Sequence, residues 1–503
     1  MKGDIMKMYR QIVVAVLASL FSALSPSLAV GAENSIAPAV GTENSVVPAV
    51  GTENSVVRAV GAEDSAVPVG GYREIAVQEK PFPLTVREFV YPAARFPITD
   101  YGAKPDGSKC TEAFRRAMAA CNAAGGGHVV VPRGRWTTGA VHFKSNCDLH
   151  LEEGAEVVFT QDPADYLPAV FTSWEGMECW NYSPLVYAFE CENVAITGKG
   201  TLRGYEGKWS ASPWKAWVPQ DNGIRASRRQ LYDWGATDFP VAERQIWKRP
   251  NANTRPHFVQ FNRCRNVLME GFRLRESPFW TLHVYMTQNV IVRGIDVYAH
   301  GNNNDGIDIE MSSDVLVEKS RFDQGDDSFV IKSGRNRDAW RLATPTQNVV
   351  VRDCHLEDAH TLLGVGSEIS GGVKNIYVHD CSARHAYRLC YVKTNHRRGG
   401  VVENIWFERV KAESAREVVS LEMDVLYEWA KFPDYETRLT EIKNIFVKDV
   451  TCKVANLAVN LRGDKRLPPK GIHLENVVVG EVRKGFCRVE NVKDVSFDGV
   501  KLQ

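Results

Sequence analysis

The sequence predicts an all-β chain wound as a single-stranded parallel β-helix, and three observations predict it. One short phrase recurs along the second half: Asn266-Val-Leu-Met-Glu-Gly-Phe, Asn289-Val-Ile-Val-Arg-Gly-Ile, Asp314-Val-Leu-Val-Glu-Lys-Ser, Asn348-Val-Val-Val-Arg-Asp-Cys, Asn375-Ile-Tyr-Val-His-Asp-Cys, Asn404-Ile-Trp-Phe-Glu-Arg-Val and Asn444-Ile-Phe-Val-Lys-Asp-Val. Each copy is a strand-forming run opened by a turn residue. The intervals of 23, 25, 34, 27, 29 and 40 residues are too even for chance and too uneven for a propeller.

In such a helix each coil lays its strand on the next at about 4.8 Å, while the loops between strands lengthen without disturbing the ladder. Cys354 and Cys381 hold the same place in neighbouring phrases, so they should stack inside. The leading Asn or Asp should form a side-chain ladder at a turn. Weaker copies stand at Asn193, Gly471 and Asp494. A leucine-rich solenoid lacks support, because its leucine spacing and helical arcs are absent.

Taken in chain order, residues 1–29 carry Lys2, Lys7 and Arg10 ahead of an apolar run from Ile12 to Leu24, which reads as a cleaved secretory signal. That run is too short for a bilayer core. Residues 30–70 contain four near copies of a decapeptide beginning Ala29-Val-Gly-Ala-Glu-Asn-Ser. Without aromatic residues or helical periodicity it reads as a flexible spacer. A short lead-in over 71–95 precedes the β-helix catalytic domain expected over 96–503. Within that domain, Cys110 to Ala124 has helical character and ends at Gly125-Gly-Gly127, before the strand His128-Val-Val-Val-Pro132.

Lys plus Arg and Asp plus Glu number 61 each, so no overall field draws in nucleic acid or an anionic membrane. Any polyanion would have to be gripped locally. The 11 cysteines include no metal-type CxxC pairs, and their odd number leaves at least one outside any internal disulfide. Most read as small apolar core residues, with a disulfide or two left open.

The candidate chemistry lies in Asp323-Gln-Gly-Asp-Asp-Ser-Phe-Val-Ile-Lys-Ser-Gly334 and Gly301-Asn-Asn-Asn-Asp-Gly-Ile-Asp308. Asp326 falls twelve residues after Asp314 and His360 twelve after Asn348, so the two should sit one above the other. Lys332 and Lys393 share an offset of eighteen from Asp314 and Asn375, and Asp305 should lie one coil below the Asp326–Asp327 pair. Crowded carboxyls push their pKa values apart, so one proton can stay on the cluster while another acid remains ionised, the two states glycoside hydrolysis needs. Asp308 and Asp314 read instead as turn-forming residues, and Lys332 could equally snorkel from a strand. Three carboxylates would also suit a calcium ion.

With these residues on the page, the chain resembles glycoside hydrolase family 28, the pectin-cleaving polygalacturonases and rhamnogalacturonan hydrolases, and within it the bacterial exo-acting branch. The resemblance runs from about Phe96 to the end. It rests on Ile98-Thr-Asp-Tyr-Gly-Ala-Lys-Pro-Asp-Gly107, Ser277-Pro-Phe-Trp280, Asn303-Asn-Asp-Gly-Ile-Asp308, Gly325-Asp-Asp327, Gly366-Ser-Glu-Ile-Ser-Gly-Gly372 and Val392-Lys-Thr-Asn395, in order and at coil spacing. It implies a right-handed, pectin-lyase-like parallel β-helix and hydrolysis with inversion. Asp326 would be the general acid, Asp305 and Asp327 would activate water, and His360 would tune the acid. An inverting pair leaves about 6.5–9.5 Å between acid and base carboxyls. Asn303, Lys332, Arg388, Tyr391 and Lys393 would bind substrate.

Two departures matter. His-Gly in the family is His360-Thr361 here, and the family's Arg-Ile-Lys is Tyr391-Val392-Lys393, so a planar carboxylate-binding fork is missing at that position. The substitution favours rhamnogalacturonan-type fragments ahead of homogalacturonan. The Gly204–Pro256 insertion holds Trp209, Trp214, Trp217, Trp234 and Trp247, which could stack on sugars or pack the loop.

The expectation is therefore a secreted or periplasmic, monomeric α-galacturonidase acting from the chain end on pectic oligosaccharides of the plant cell wall. It should have no metal or organic cofactor, no nucleic-acid partner and no membrane partner once the signal is removed. An exo-polygalacturonase on homogalacturonan, a noncatalytic glycan-binding β-helix and a calcium-dependent lyase are the alternatives.

Overall fold

The computed structural model describes residues 69–78, 80–216, 223–248, 254–425 and 436–502. The expected leader, 1–29, and all of the decapeptide spacer except residues 69 and 70 lie outside them.

The recurring phrases are successive rungs of one 30-stranded sheet in which strands of neighbouring coils pair in parallel. Val267, Val290, Val315, Val349, Ile376, Ile405, Ile445 and Ile472 form one continuous register column, each 2% exposed or less. Alternation puts them inside, and each buried aliphatic side chain contributes about 1.5–3 kcal/mol. The fold is thus the parallel β-helix expected.

The turn ladder is also present. Asn375 Nδ2 donates to Asn348 Oδ1 at 3.1 Å, Asn404 to Asn375 at 3.1 Å, and Asn444 to Asn404 at 3.0 Å. These residues sit at φ between 56° and 62°, in the left-handed region that Asn tolerates best after Gly. Lower down, Asn193, Asn266 and Asn289 continue the series. Between Asn289 and Asp314 the series changes partner, because the Asn289 side chain exchanges two hydrogen bonds with the backbone of Arg87.

Arg87 belongs to the lead-in, an antiparallel hairpin of Tyr72–Gln78 and Leu84–Phe89. Its Val77, Phe82, Leu84 and Val86 cover the outward side chains Ala195, Leu268, Ile291, Leu316 and Val350. This explains why those phrases are apolar at a position facing away from the coil interior. The helix Thr111–Ala123 buries Phe114, Ala117, Met118 and Cys121 against the first coil. It ends at Ala123, and the turn that follows needs Gly126 (φ 122°), where a Cβ would meet the Asn146 carbonyl at 2.6 Å.

All 11 cysteines are free thiols, and all but Cys487 are buried. Cys354 and Cys381 precede paired residues of adjacent coils, His355 with Ser382, as stacking requires.

Candidate active site

Coil pairing brings the separated acids together. Ile307 pairs with Phe329 and Phe329 with Leu363, which aligns Asp305 with Asp327 and Thr361. Gly306 N donates to the Asp327 carbonyl at 2.9 Å, His360 N to the Asp326 carbonyl at 2.8 Å, and Arg388 N to the His360 carbonyl at 2.9 Å. Asp326, His360 and Tyr387 therefore follow one another in one column, with Asp305, Asp327, Thr361 and Arg388 beside them. A cavity of about 550 Å³ is lined by all nine site residues singled out from sequence: Asn303, Asp305, Asp326, Asp327, Lys332, His360, Arg388, Tyr391 and Lys393.

Asp308 is different from its expectation. It lies in the strand Ile307–Glu310, fully buried, with Lys332 Nζ 3.5 Å from Oδ1. The Asp-Gly that precedes it is turn-forming, but the strand begins one residue earlier than Asp308 itself. Asp314 does sit at the turn, accepting from Asn348 at 3.0 Å.

The charges are arranged asymmetrically. Burial alone would raise the Asp327 carboxyl, but Lys393, whose Nζ donates to Oδ2 at 2.6 Å, holds it below the usual range. Asp305, 4% exposed, is pushed well above that range by burial and by Asp308 and Asp326. Asp326 keeps 23% of its side chain exposed, and its Oδ1 receives both the Asp327 N–H, at 3.0 Å, and a His360 ring nitrogen, at 3.1 Å. That contact raises the His360 imidazole above its ordinary value. Carboxyls facing one cavity titrate together, so a proton retained here belongs to the group.

One oxygen each of Asp326 and Asp327 and a ring nitrogen of His360 lie within 4.8 Å of one another, a grouping that could hold a metal. The donor set does not fit a cation well. The Asp327 oxygen already accepts from an ammonium, and the imidazole engages Asp326, so the acids have positive partners before any ion arrives.

Lys332 is 5% exposed and does not snorkel: it meets Glu368 at 3.2 Å and lies over the Trp280 ring at 4.7 Å. Arg335 donates to the same Glu368, and these cations hold that carboxyl far down despite its burial. Beneath Lys332 runs a buried polar file. Thr172 donates to Gln260, Gln260 Nε2 to His283 Nδ1, and His283 Nε2 faces Glu310 at 2.8 Å. Burial pushes the Glu310 carboxyl to about 7.

A cation lies beside the position of the missing arginine. Tyr391 donates its hydroxyl to Glu422 at 2.7 Å, and the Arg388 guanidinium lies 4.3 Å above its ring. Arg398, by contrast, is buried, donates to Ser367 and Asn336, and does not itself line the cavity.

Of the two readings of the insertion's tryptophans, packing is the one seen for those described. Trp214 is buried against Tyr166, Trp234 stacks on Phe239, Trp247 packs on Tyr182, and Trp209 packs on Tyr205. None of these four lines the cavity, and Trp217 lies outside the described residues. What the insertion supplies is the helix Gly223–Ala236, whose Arg228 and Tyr232 both grip Glu175. Arg228, Glu175, Arg335, Glu368 and Trp280 line the cavity and escaped the sequence reading. Only Glu368 and Trp280 stood within recognised motifs.

Residues 242–498 match the description "Glycosyl hydrolases family 28". A solved hyperthermoactive exopolygalacturonase from Thermotoga maritima is 36% identical, with 81% of this chain and 94% of that chain covered and a TM-score of 0.74. The chain belongs to glycosyl hydrolase family 28. Family 28 also includes a solved exopolygalacturonase from Yersinia enterocolitica, 19% identical over 84% of this chain and 81% of that one at a TM-score of 0.66, a likeness of fold. A probable polygalacturonase of Vitis vinifera is 24% identical over 401 residues, 76% of this chain and 73% of that protein. As a family 28 member the protein is a glycoside hydrolase, which sets aside the noncatalytic and lyase alternatives.

Proposed function

We propose that the protein is an inverting, exo-acting α-galacturonidase that removes galacturonic acid from the ends of pectic oligosaccharides, with homogalacturonan as the principal chain. The observation that carries this reading is the charge asymmetry of one cavity. A partly exposed carboxyl, Asp326, stands beside His360, while a buried one, Asp327, is kept ionised by Lys393. Asp326 gives its proton to the departing glycosidic oxygen. Water attacks the anomeric carbon from the opposite face and loses its proton to Asp327, the carboxyl Lys393 keeps ionised, with Asp305 beside it to position the water.

Cleavage from the end fits a cavity bounded toward the earlier coils by Trp280 and by the Glu175–Arg228 contact. Toward the later coils it continues through Tyr387 and Arg388, which line a further groove. Arg388 above Tyr391 supplies a cation beside the place where the family's arginine is absent, which favours homogalacturonan over the rhamnogalacturonan fragments expected from the sequence. Rhamnogalacturonan fragments remain a second reading, favoured by the occupied Tyr391 hydroxyl, which leaves a less charged surface beside Lys393. The apolar run at residues 12–24 supports export, and no described helix is long and apolar enough to cross a membrane.

Product analysis tests this. Polygalacturonate should yield monomeric galacturonic acid from the first minutes with a slow fall in viscosity. A rapid viscosity fall with mixed oligomers would overturn exo action. Monomer from rhamnogalacturonan fragments alone would replace the first reading by the second.

A further inference from the structure

Beyond Tyr387 and Arg388 the cavity passes into a groove of about 480 Å³, also lined by Arg416, Glu417, Asn456 and Lys484. Register places this groove on the later coils. Arg388 pairs with Glu417, so Tyr387 lies beside Arg416, and Asp326, His360, Tyr387 and Arg416 occupy successive coils of one column. Three steps of about 4.8 Å separate the first from the last, room for more than one sugar past the cleaved bond.

The groove is cationic although the chain as a whole is balanced. Its single acid, Glu417, is engaged by Arg388 at 2.9 Å and by the Ser420 hydroxyl at 2.5 Å. Among the described residues, neither Arg416 nor Lys484 has an acidic partner within 4.0 Å. Arg416 is nonetheless held: its guanidinium lies 3.7 Å from the centre of the Tyr387 ring, which is itself stacked on His360 with centroids 4.8 Å apart. With one ring face toward His360 and the other toward Arg416, Tyr387 serves as a spacer and not as a sugar platform. Stacking occupies the flat face of a guanidinium and leaves its N–H edges for hydrogen bonding, the arrangement that suits a planar carboxylate.

We propose that Arg416, seconded by Lys484, forms a uronate-binding subsite on the leaving-group side, which reads the carboxylate of a sugar beyond the one adjoining the cleaved bond. The inference rests on the galacturonidase reading above and specifies its substrate: a polyuronide of three or more residues, acidic along its length. It gives a physical reason for preferring an acidic chain to one in which neutral sugars alternate.

The test compares kcat/KM on di-, tri- and tetragalacturonate for the full-length enzyme and for Arg416→Gln and Arg416→Lys. A charge-assisted hydrogen bond of ordinary strength corresponds to about a tenfold change or more. The wild-type preference for tetra- over digalacturonate should therefore drop about tenfold in Arg416→Gln, mostly through KM, and be largely kept in Arg416→Lys. A trigalacturonate methyl-esterified only at its reducing-end sugar, the sugar this subsite would read, should lose the same factor with wild type and little with Arg416→Gln. An undiminished chain-length preference in Arg416→Gln, or equal losses on every length, would overturn the subsite while leaving the galacturonidase reading intact. Wild-type enzyme releasing no galacturonate from any of these substrates would overturn both.

Discussion

Lys393 Nζ and Asp327 Oδ2 meet at 2.6 Å across two coils of the β-helix, and the lysine keeps a 3%-exposed carboxyl ionised. Removing that ammonium leaves Asp327 a buried acid without its nearest cation, so its pKa rises. Lys393→Met should lower kcat/KM on oligogalacturonate by about a hundredfold or more. The acidic limb of the pH–rate profile should move to higher pH, because the base now ionises later. An unmoved limb would remove Asp327 from the base's role.

His360 titrates above its ordinary value because Asp326 accepts from it. In selectively labelled protein its NMR midpoint should lie above about 6.5. Asp326→Asn removes the negative partner and should lower that midpoint. By linkage, a group raised in the folded state adds stability below the unfolded pKa, lost as pH climbs through the folded one. Here the exposed half of the ring limits the gain. A midpoint indifferent to Asp326→Asn would show that the contact does not control His360.

Glu310 gives the opposite sign. Its carboxyl, raised by burial to about 7, binds a proton more tightly folded than unfolded. It therefore costs stability as pH rises from about 4.5 to 7, on the order of 3 kcal/mol in full. Glu310→Gln should flatten the fall of Tm over that window and be the more stable protein at pH 8. Parallel wild-type and variant curves would mean that Glu310 does not titrate there.

The Asn ladder can be tested through one rung. Asn375 donates to Asn348, accepts from Asn404, and holds φ at 58°. Asn375→Ala loses both hydrogen bonds and strains the backbone, at about 2–4 kcal/mol together. Asn375→Gly loses only the bonds, so its Tm should lie between wild type and alanine. Equal Tm values for the two variants would deny the left-handed strain.

Much of this was legible because a solenoid turns sequence offset into position. Equal offsets from Asp314 and Asn348 were enough to stack Asp326 under His360, and the repeated leading Asn announced its own ladder. Offsets say nothing of segments that leave the coil. Arg228 comes from an inserted helix with no repeat to index it, and Glu175 lies in the loop hairpin Val170–Trp174 with Met177–Asn181. Asp308 was misjudged because Asn-Asp-Gly signals a turn without saying where the next strand starts. The tryptophans left both readings open because their size marks burial as readily as binding. The approach of Arg388 to Tyr391 is a contact between a side chain and a ring three residues on, visible only once the strand Ser382–Lys393 is built.

The most direct measurement follows the anomer first released from trigalacturonate by proton NMR, beside an Asp326→Asn control. Proton donation by Asp326 with water arriving on the opposite face predicts β-galacturonic acid before any α-anomer, and a variant slower by about a thousandfold that melts like wild type. First release of the α-anomer, or a variant of near-normal rate, would contradict it.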